Sequence, residues 1–585
     1  MGNIRSTMLF LLSTFPSITI GQPHPKRAPF RAARGSLFVL VMIAVLLMEL
    51  PGGACASLLY VVTTDLGTLG GRWSEATAVN DGGQVVGWSY TAGGKMHAFS
   101  WTQSEGMIDL GTLGGWESGA TAVNASGQVV GWSDTADGTM HGFSWTQSGG
   151  MLDLGTLGGW ESSTIAVNAS GQAVGWSYTA DGTMHAFSWT QSGGMLDLGT
   201  LGGWESSAIA VNASGQVVGW SDTADGTMHA FPWTQSGGMI DLGTLGGFSS
   251  DAAAVNDSGQ VVGRIFTLPF ADELAFSWTQ SGGMLDLGTL GGVSSRTIAV
   301  NASGQIVGSS TTADYDTHAF SWTQSGGMID LGTLGGFASA AAAVNASGQV
   351  VGWSYPADSF SHAFSWTESE GMIDLGTLGG HESWANAVND RGQIVGGSNT
   401  ALLWKIIFPI VTPNEGTVGS EITIKGEGFG PKRGKVVIGG VAQKITGWTD
   451  SEIKVTLSKV PAPDVASDVV VHLKIKRAPA ITLPGTFTAR GPKITSVDPG
   501  SGVSGSTSPV TITGRFFSTK KGKVTLERGG VVKPCKVLSW TMDPPSGEST
   551  IQFLVPKKLT AATDYTLRVS NSVGSDTRGF TVTAP

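Results

Sequence analysis

The heptapeptide DLGTLGG occurs eight times in this chain, beginning at Asp65, Asp109, Asp153, Asp197, Asp241, Asp286, Asp330 and Asp374. Successive copies begin 44 residues after one another, except for one interval of 45 residues. A constant interval of this length indicates that each heptapeptide marks the same point in a larger unit, and that the units stack into one array. The chain is therefore a repeat protein over more than half of its 585 residues.

Each unit is predicted to contain four short strands. In the unit that begins at Asp197 they are "AIAVN", "QVVGWS", "HAFPW" and "GGMIDLG", because these runs are bounded by Gly, Asn, Asp or Ser. The links "NASG" and "ADG" are typical of hairpin turns. One four-stranded antiparallel sheet per unit predicts a β-propeller blade, and a straight solenoid is the alternative.

The two ends of the array favour a closed ring. The stretch "LYVVTTDLG" from Leu59 to Gly67 precedes the first unit, whereas the last unit ends at Trp404 one strand short. Pairing of these two stretches would leave no sheet edge open. The sequence thus predicts an all-β chain with a closed eight-bladed β-propeller, in which the N-terminal strand completes the last blade.

Residues 1–56 have the pattern of an export signal. Basic residues precede the apolar run Ser36–Met48, and Ala54 and Ala56 form a cleavage pattern. The run of 13 residues is shorter than a bilayer span, so we expect cleavage after Ala56 and no lasting membrane anchor. A lipid anchor at Cys55 is the alternative. This predicts a protein that is secreted or at the cell surface, with the periplasm as a further location.

The charge is distributed unevenly. From Ser57 to Trp404 there are 5 Lys or Arg and 30 Asp or Glu, whereas from Lys405 to Pro585 there are 24 and 13. Cleavage would leave Cys535 as the one thiol, which excludes an intramolecular disulfide. An acidic array is thus joined to a basic C-terminal region, and stability must come from apolar burial.

The repeated motifs "HAFSW", "GGMIDLGTLGG" and "AVNASGQVVG" resemble the HAF repeat of bacterial extracellular proteins, from Leu59 to Trp404. The segments beginning "PIVTPNEGTVGSEITIKGEGFG" and "PKITSVDPGSGVSGSTSPVTITGRFF" are similar to the IPT/TIG domain, an immunoglobulin-like β-sandwich. The resemblances imply a propeller at 57–405 and sandwiches at 406–490 and 491–585. In the second segment we align Phe516 with Phe429, and the Gly that usually follows is missing.

Three sets of repeated polar residues are expected to be structural. The Asp of DLGTLGG should bond backbone N–H groups. The Asn of each N-x-S sequence should form a turn rather than carry a glycan. The His of the HAF motif should be hydrogen-bonded, because equivalent positions around a ring are too far apart to share a metal ion. These histidines are His97, His141, His185, His229, His318 and His362. The Trp of "HAFSW" is expected in the core between blades.

A ligand-binding face is predicted just after each double glycine. Aromatic side chains there would share a face with the loops between the second and third strands, which contain acidic residues such as Asp134, Asp181 and Asp222. Aromatic rings beside carboxylates suit sugar rings, and clustered carboxylates suit Ca²⁺. The alternative is that these aromatics are buried wedges between blades. The candidate residues are Trp116, Trp160, Trp204, Phe248, Phe337 and Trp384, with Glu117, Glu161 and Glu205; Trp73 and Glu382 belong to the same pattern.

No catalytic constellation is present: there is no HExxH, no GxSxG and no reactive Cys in the repeats. The sequence therefore favours a monomeric, non-enzymatic binding or adhesion protein that engages an extracellular glycan or surface protein. No cofactor, metal site or nucleic-acid partner is predicted, and no specific motif supports Ca²⁺. A glycan lyase or hydrolase using Asp272 or Glu273 in the divergent fifth unit is one alternative. A purely structural matrix component is the other.

Overall fold

The computed structural model describes Met42–Val45 and residues 59–267, 272–357, 360–461, 463–474 and 480–585. These residues form strands, turns and loops, and none of them belongs to a helix that could span a membrane. The chain divides into two compact units, Met1–Phe38 and Val39–Pro585. The first unit lies outside the described residues, as does the predicted signal at 1–56 except for Met42–Val45, so that prediction and the anchor at Cys55 stay open.

The first seven repeat units each form an antiparallel sheet in which chain order and spatial order agree. β1 (Met42–Val45) and β2 (Tyr60–Gly67) precede them. The first and second sheets consist of β3 (Gly70–Val79), β4 (Val85–Thr91), β5 (Met96–Thr102) and β6 (Gly106–Asp109), then β7 (Gly114–Val123), β8 (Val129–Thr135), β9 (Met140–Thr146) and β10 (Gly150–Asp153). The third and fourth consist of β11 (Gly158–Val167), β12 (Ala173–Thr179), β13 (Met184–Thr190) and β14 (Gly194–Asp197), then β15 (Gly202–Val211), β16 (Val217–Thr223), β17 (Met228–Thr234) and β18 (Gly238–Met239).

The remaining units repeat this arrangement. The fifth, sixth and seventh sheets consist of β19 (Ser249–Val255), β20 (Val261–Phe266), β21 (Glu273–Thr279) and β22 (Gly283–Asp286); β23 (Gly291–Val300), β24 (Ile306–Thr312), β25 (Thr317–Thr323) and β26 (Gly327–Asp330); and β27 (Gly335–Val344), β28 (Val350–Pro356), β29 (His362–Thr367) and β30 (Gly371–Asp374). One parallel bridge, Thr317 to Ala338, joins the sixth sheet to the seventh. Each sheet has two edges; none closes on itself as a barrel within the described chain.

The eighth sheet combines the two ends of the repeat region. β31 (Trp384–Val388), β32 (Gln393–Gly397) and β33 (Ala401–Ile407) come from the last unit, and β2 pairs antiparallel with β33. Tyr60 lies opposite Ile407 and Thr63 opposite Trp404. β1 pairs with the outer side of β2. The pairing of the N-terminal strand with the last three is therefore as the sequence predicts.

The turns follow from their residues, but the strand bounds differ from the prediction. In the fourth unit Asn212 N donates to Gln216 O, and Gly215 adopts φ +87, which glycine adopts without steric cost. The innermost strand β15 begins at Gly202, six residues earlier than the predicted "AIAVN", with a register shift between Gly202 and Ser206. The preceding outer strand β14 ends at Asp197. In this copy, DLGTLGG thus contains the last residue of one sheet, four connecting residues and the first two residues of the next sheet.

The core of the repeat region lies between neighbouring sheets. Val174 and Ala186 of the third unit pack with Ala208, Phe231 and Trp233 of the fourth, and the other units repeat this pattern. The Phe of each HAF motif and of its variants is fully buried. The Trp that follows is buried or packed against the same clusters, so its predicted position in the core is confirmed. Each unit therefore depends on its neighbours for a complete core.

Two series of hydrogen bonds join successive sheets and return from the last unit to the first. In one series, Nδ2 of each turn Asn donates to the backbone O of the next turn Asn; Asn389 donates to Asn80 at 2.9 Å. The preceding members are Asn80, Asn124, Asn168, Asn212, Asn256, Asn301 and Asn345. In the other, a backbone N–H of each third strand donates to a Ser of the next innermost strand, and Ala401 N donates to Ser74 Oγ at 2.8 Å. The other acceptors are Ser118, Ser162, Ser206, Ser250, Ser295, Ser339 and Ser383.

The turn asparagines are buried, and Nδ2 also bonds to a Gln side chain in each turn, as in Asn124 to Gln128 at 3.1 Å. This is the atom that would carry an N-linked glycan. The interpretation of the N-x-S sequences as turn chemistry is therefore confirmed. Beside these turns a cavity of about 390 Å³ opens, lined by Asn80, Asp81, Asn345, Asn389 and Asp390 among others.

Two β-sandwiches follow. The first consists of the sheets β34 (Ile410–Thr412), β36 (Glu421–Lys425), β40 (Glu452–Thr456), β39 (Lys444–Trp448), and β35 (Glu415–Gly416), β42 (Ile481–Ala489), β41 (Ala466–His472), β37 (Lys435–Ile438), β38 (Val441–Ala442). The second consists of β43 (Lys493–Asp498), β45 (Val510–Arg515), β49 (Glu548–Leu554), β48 (Lys536–Met542), and β44 (Ser501–Val503), β51 (Ser575–Thr583), β50 (Ala562–Ser570), β46 (Lys523–Arg528), β47 (Val531–Pro534). The strand order is the same in both.

The sandwiches also share a turn whose sequences differ. Gly428 and Gly430 have φ of +71 and +76 on either side of buried Phe429, and Trp448 Nε1 donates to Gly430 O. In the second sandwich Phe516 and Ser518 have φ of +61 and +80, and Trp540 Nε1 donates to Ser518 O. The equivalent of Phe429 is therefore Phe517, and the alignment with Phe516 was wrong by one residue. The turn forms without glycine because buried Phe517 and the Trp540 hydrogen bond hold it in place.

The repeat region ends inside the core of the first sandwich. Tyr60 and Ile407 are buried there beside Phe429. The Tyr60 hydroxyl donates to Glu427 O at 2.5 Å and accepts from Glu427 N at 2.9 Å. Burial raises the pKa of this hydroxyl well above its ordinary value. A cut between the two regions at 405 would therefore expose apolar side chains from both.

Candidate functional site

The double glycine of each unit directs the next side chain outward. In the fourth unit Gly202 has φ +98, so the chain turns sharply as it enters β15. A Cβ on Gly203 would lie 2.5 Å from Asp222 Cβ and from Thr223 O. The innermost strand therefore starts in close contact with the second strand, and no space for a large side chain exists between them.

The residue after the double glycine is exposed in all eight units, and in six of them it is a large apolar side chain. The exposed fractions are 68% for Trp116, 50% for Trp160, 74% for Trp204, 53% for Phe248, 51% for Val293 and 63% for Phe337. The alternative that the aromatics are buried wedges is therefore wrong for Trp116, Trp160, Trp204, Phe248 and Phe337. Large apolar side chains at equivalent, exposed positions in neighbouring units are characteristic of an interaction surface.

Two of the predicted aromatics do not occupy this position. Trp384 is the fourth residue after its double glycine, where His381 comes first, and its Nε1 donates to Glu75 Oε1 at 2.8 Å. It is half-buried at the contact between the last and first units, apart from the exposed position that the other aromatics share. Trp73 stands one position later than the others, after Arg72, and is 48% exposed.

The loops between the second and third strands meet these aromatics, as the sequence predicts. Lys95, in the first such loop, places its Nζ 4.2 Å from the centroid of the Trp116 ring. A Cβ on Gly182 would lie 3.4 Å from the Trp160 ring. We call the surface formed by Trp116, Trp160, Trp204, Phe248, Phe337 and these loops the aromatic face.

Tyrosines that the sequence analysis missed pack against several of the exposed aromatic rings. We call each such ring, with any Tyr packed against it, a platform. Tyr178 stacks on Trp160 with ring centroids 4.5 Å apart, and Tyr355 stacks on Phe337 at 4.7 Å. Tyr90 contacts Trp73 edge to face at 6.0 Å. Each Tyr stands two residues after the Trp of the second strand's "GW" pair, and this spacing places the Tyr on the same sheet surface as that Trp. Asp134 and Asp222 occupy this position in the second and fourth units.

The glutamates beside the aromatics are half-buried and close to other acidic groups. Glu117 N donates to Asp134 Oδ2 at 3.2 Å. Burial raises the pKa of Glu205, and the charge of Asp222 raises it further. Burial likewise raises the pKa of Asp222, against the lowering effect of the Glu205 N–H.

Carboxylates of two neighbouring units also surround one ring. The pKa of Tyr178 is raised by burial first, and then by the charges of Glu205 and Glu161. The structure thus brings Glu161 and Glu205 close to the stacked pair of Trp160 and Tyr178. This part of the aromatic face combines flat rings with negative charge.

The aspartates of the loops between the second and third strands have lowered pKa values, in contrast to Glu205 and Asp222. The Asp137 carboxylate accepts hydrogen bonds from the Thr135 and Thr139 hydroxyls, which lower its pKa to about 2. Asp225 is held in the same way by Thr223 and Thr227, and its pKa is also lowered to about 2. These carboxylates are fully exposed and stay charged at neutral pH.

The repeated His residues pair with the Asp of DLGTLGG. His185 Nδ1 lies 2.9 Å from Asp197 Oδ2, and the other five His residues of the motif make the same contact with the Asp twelve residues later. Each such Asp also accepts a hydrogen bond from the Gly N two residues on. The structural interpretation of both residues is confirmed. No set of three or more His, Cys, Asp or Glu within the described ranges is placed to hold a metal ion.

The divergent fifth unit contains an ion-pair cluster. Arg264 bonds to both Asp251 oxygens through Nε and to Glu273 through Nη1 at 3.0 Å. Glu273, a candidate acid in the enzymatic alternative, therefore shares one arginine with Asp251. Asp272 accepts a hydrogen bond from Thr267 N through its backbone O, and the loop at 268–271 lies outside the described residues.

Comparisons with known proteins identify the first sandwich. No curated protein sequence matches this chain. Among solved structures it is similar to the surface glycan-binding protein PbSGBP-B from Prevotella bryantii, with 15% identity and a TM-score of 0.16, covering 30% of this chain and 42% of that one. It is also similar to the extracellular region of plexin A4, with 13% identity and a TM-score of 0.17, covering 46% and 23%.

A tandem pair of titin immunoglobulin domains is 12% identical with a TM-score of 0.12, and the match covers 31% of this chain and 95% of that one. At these TM-scores the likeness does not extend to the whole fold. The family model of the IPT/TIG domain matches residues 408–489. This all-β chain therefore contains an IPT/TIG domain at the first of its two sandwiches.

Proposed function

We propose that the repeat region is a closed eight-bladed β-propeller, with the N-terminal strand completing the last blade. Eight sheets in sequence and two series of inter-sheet hydrogen bonds that return to the first unit support this arrangement. A closed ring has no terminal sheet whose face is exposed to solvent. The resemblance of its motifs to the HAF repeat is in accord with a ring of near-identical blades.

We further propose that the protein is exported and acts as a monomeric, non-enzymatic binding or adhesion module, whose aromatic face engages an extracellular glycan. One observation carries this proposal: flat side chains stand exposed at the same position in neighbouring units, with carboxylates beside them. Stacking on a sugar ring needs an accessible aromatic face, and carboxylates can accept hydrogen bonds from sugar hydroxyls. Equal spacing of the platforms suits a polymer with a repeating structure.

The proposal is tested with a glycan-array screen of the full chain, with and without added Ca²⁺. The full chain is used because Tyr60 and Ile407 lie in the core of the first sandwich. The test variant combines Trp116→Ala, Trp160→Ala and Trp204→Ala. The matched control is Phe408→Ala, which removes a half-exposed aromatic outside the aromatic face.

We expect glycan binding that the triple variant loses and the control retains, with thermal unfolding unchanged in both. Absence of binding by the unaltered chain in either condition would overturn the glycan proposal and favour a structural role. Turnover of a bound glycan that depends on Asp272 or Glu273 would instead favour the enzymatic alternative.

A further inference from the structure

We propose that the glycan carries positive charge, and that units two to four bind an amine-bearing polysaccharide such as a polymer of glucosamine. This inference rests on the proposed glycan-binding function and names the class of ligand. It is drawn from three features of the aromatic face. Cationic side chains of the protein lie over the first Trp rings, the next units lack the equivalent of Lys95, and carboxylates surround the open rings.

The protein's own cations already occupy the platforms nearest the start of the array. Lys95 Nζ lies over the Trp116 ring at 4.2 Å, and the Arg72 guanidinium lies 5.1 Å from the centroid of the Trp73 ring. Both distances are within the range of a cation–π interaction. The geometry of the face thus accepts a primary ammonium group on a Trp ring, at the seam between one unit and the next.

The platforms of the next two units have an exposed Trp ring, but no Lys or Arg in the described part of the chain lies over it. Thr139 and Thr183 occupy, in the second and third units, the position that Lys95 occupies in the first. By the same repeat, Thr139 corresponds to Trp160, and Thr183 to Trp204, as Lys95 corresponds to Trp116. Trp204 is 74% exposed and has neither a ring nor a cation partner among the described residues. One face of Trp160 is covered by Tyr178, which leaves the other for a ligand.

The surroundings of these open rings are acidic, and this part of the sequence contains no Lys or Arg. No Lys or Arg occurs between Lys95 and Arg264. Glu161, Glu205 and Asp222 lie beside the rings, and the loops add Asp181 and Asp225. Burial disfavours the charged forms of Glu205 and Asp222, and the charge of Asp222 adds to this effect on Glu205. A cation bound among them would therefore be stabilised by carboxylates that lack a counter-charge.

A polysaccharide suits this surface better than a basic peptide. The open platforms recur once per unit along the array, and each offers a flat ring beside hydrogen-bond acceptors. A pyranose presents an apolar face to such a ring while its amine and hydroxyls reach the carboxylates. A lysine-rich peptide shares the charge but lacks the flat ring, and it is one outcome of the test.

The test compares two ligands and four proteins. Glucosamine oligomers and N-acetylglucosamine oligomers of matched length differ in the positive charge of the amine. Binding to the full chain is measured by calorimetry at about pH 6, below the usual range for an amine pKa. The variants are Thr183→Lys, which places a lysine in front of Trp204; Thr183→Met, its uncharged match in length; and Lys95→Met, which uncovers Trp116.

We expect the glucosamine oligomer to bind more tightly than the acetylated one, and added salt to weaken it. Thr183→Lys should weaken binding about tenfold, because its ammonium competes for Trp204, whereas Thr183→Met should stay close to the unaltered chain. Lys95→Met should strengthen binding. Thermal unfolding of each variant shows whether the fold is retained.

Equal or tighter binding of the acetylated oligomer, with no difference between Thr183→Lys and Thr183→Met, would overturn the charge inference and leave the glycan proposal standing. Binding of neither oligomer, together with no hit on the array, would overturn both. Binding of an oligolysine peptide, without binding of either oligomer, would overturn the inference of an amine-bearing polysaccharide in favour of a protein ligand.

Discussion

The two ends of the innermost strand differ in how much their residues vary among the eight repeat units. At one end, the turn Asn, its Gln and the inter-sheet hydrogen bond recur in all eight units with distances of 2.9 to 3.1 Å. At the other end, the residue after the double glycine is Arg, Trp, Phe, Val or His. A buried polar network tolerates no missing member, whereas an exposed position is free to follow a ligand. The constant end holds the array together, and the variable end is where function is to be sought.

The largest effect is expected at the constant end, where Asn389→Ala removes the hydrogen bond from the last unit to the first. The substitution removes one of the two hydrogen bonds to Asn80 O, which keeps the one from Gly83 N. It also leaves the Arg391 and half-buried Gln393 N–H groups without their acceptor, so it should lower the free energy of unfolding by about 3 kcal/mol. Chemical denaturation measures this. Asn212→Ala, within the array, is the matched control.

If the ring is closed, the two alanine variants should be destabilised equally. An Asn389→Ala variant as stable as the unaltered chain, beside a destabilised Asn212→Ala, would show that the last and first units do not meet. In both variants the aromatic face should keep its ligand, since the altered turn lies at the other end of the strand.

The opposite result is expected at the variable end for Trp204→Ala. Because this side chain is 74% exposed, its loss should change the free energy of unfolding by less than about 0.5 kcal/mol. Binding of the ligand should weaken about tenfold through loss of one platform. Trp233→Ala, which removes a buried Trp of the same unit, is the control: it should cost about 3 kcal/mol or more of stability. Strong destabilisation by Trp204→Ala would mean that the two ends are not separable.

A smaller effect on stability, which depends on pH, is expected for Asp222 and Asp225 near the variable end. The pKa of Asp222 is raised in the folded protein, so its contribution to stability falls as the pH rises above the ordinary carboxyl pKa. Asp222→Asn should therefore raise the free energy of unfolding at neutral pH, by less than about 1 kcal/mol because the group is partly exposed. It should also weaken binding of an amine-bearing ligand.

Asp225→Asn should act in the opposite direction. The pKa of Asp225 is lowered to about 2, so its stabilising contribution is present above the ordinary carboxyl pKa and is lost as the pH falls toward that value. The substitution should slightly lower the melting temperature at neutral pH. Melting curves of both variants between acidic and neutral pH give the two signs, and equal signs would contradict the assignment.

The smallest effect is expected on the outer strands, where six units have a His–Asp pair and the fifth has Leu274 in place of His. His185→Leu should cost about 0.5 kcal/mol, because the Asp197 side chain is well exposed and its pair is screened by solvent. Leu274→His should gain a similar amount by pairing with Asp286. Denaturation of both variants in low and high salt measures this, and a large loss in His185→Leu would assign the His a role beyond the pair.

The sequence by itself determined the elements that depend on local chemistry. The interval between DLGTLGG copies, the Asn and Gly at turns and the alternation of apolar residues predict four strands per unit and their order, because hydrogen bonds and positive φ at turns are local demands. They also predict that the strand at Leu59 pairs with the last unit, since an unpaired edge is unfavourable. The structural interpretation of the repeated Asp and Asn follows from the same local chemistry.

Only the tertiary structure decided which way the residue after the double glycine faces. Gly203 lies against Asp222 of the neighbouring strand, and this close contact turns Trp204 outward. The same is true of Trp384, whose place at the contact with Glu75 depends on where the last unit meets the first. Exposure and partner choice are properties of packed neighbours that are distant in sequence, and no local pattern of apolar and polar residues specifies them.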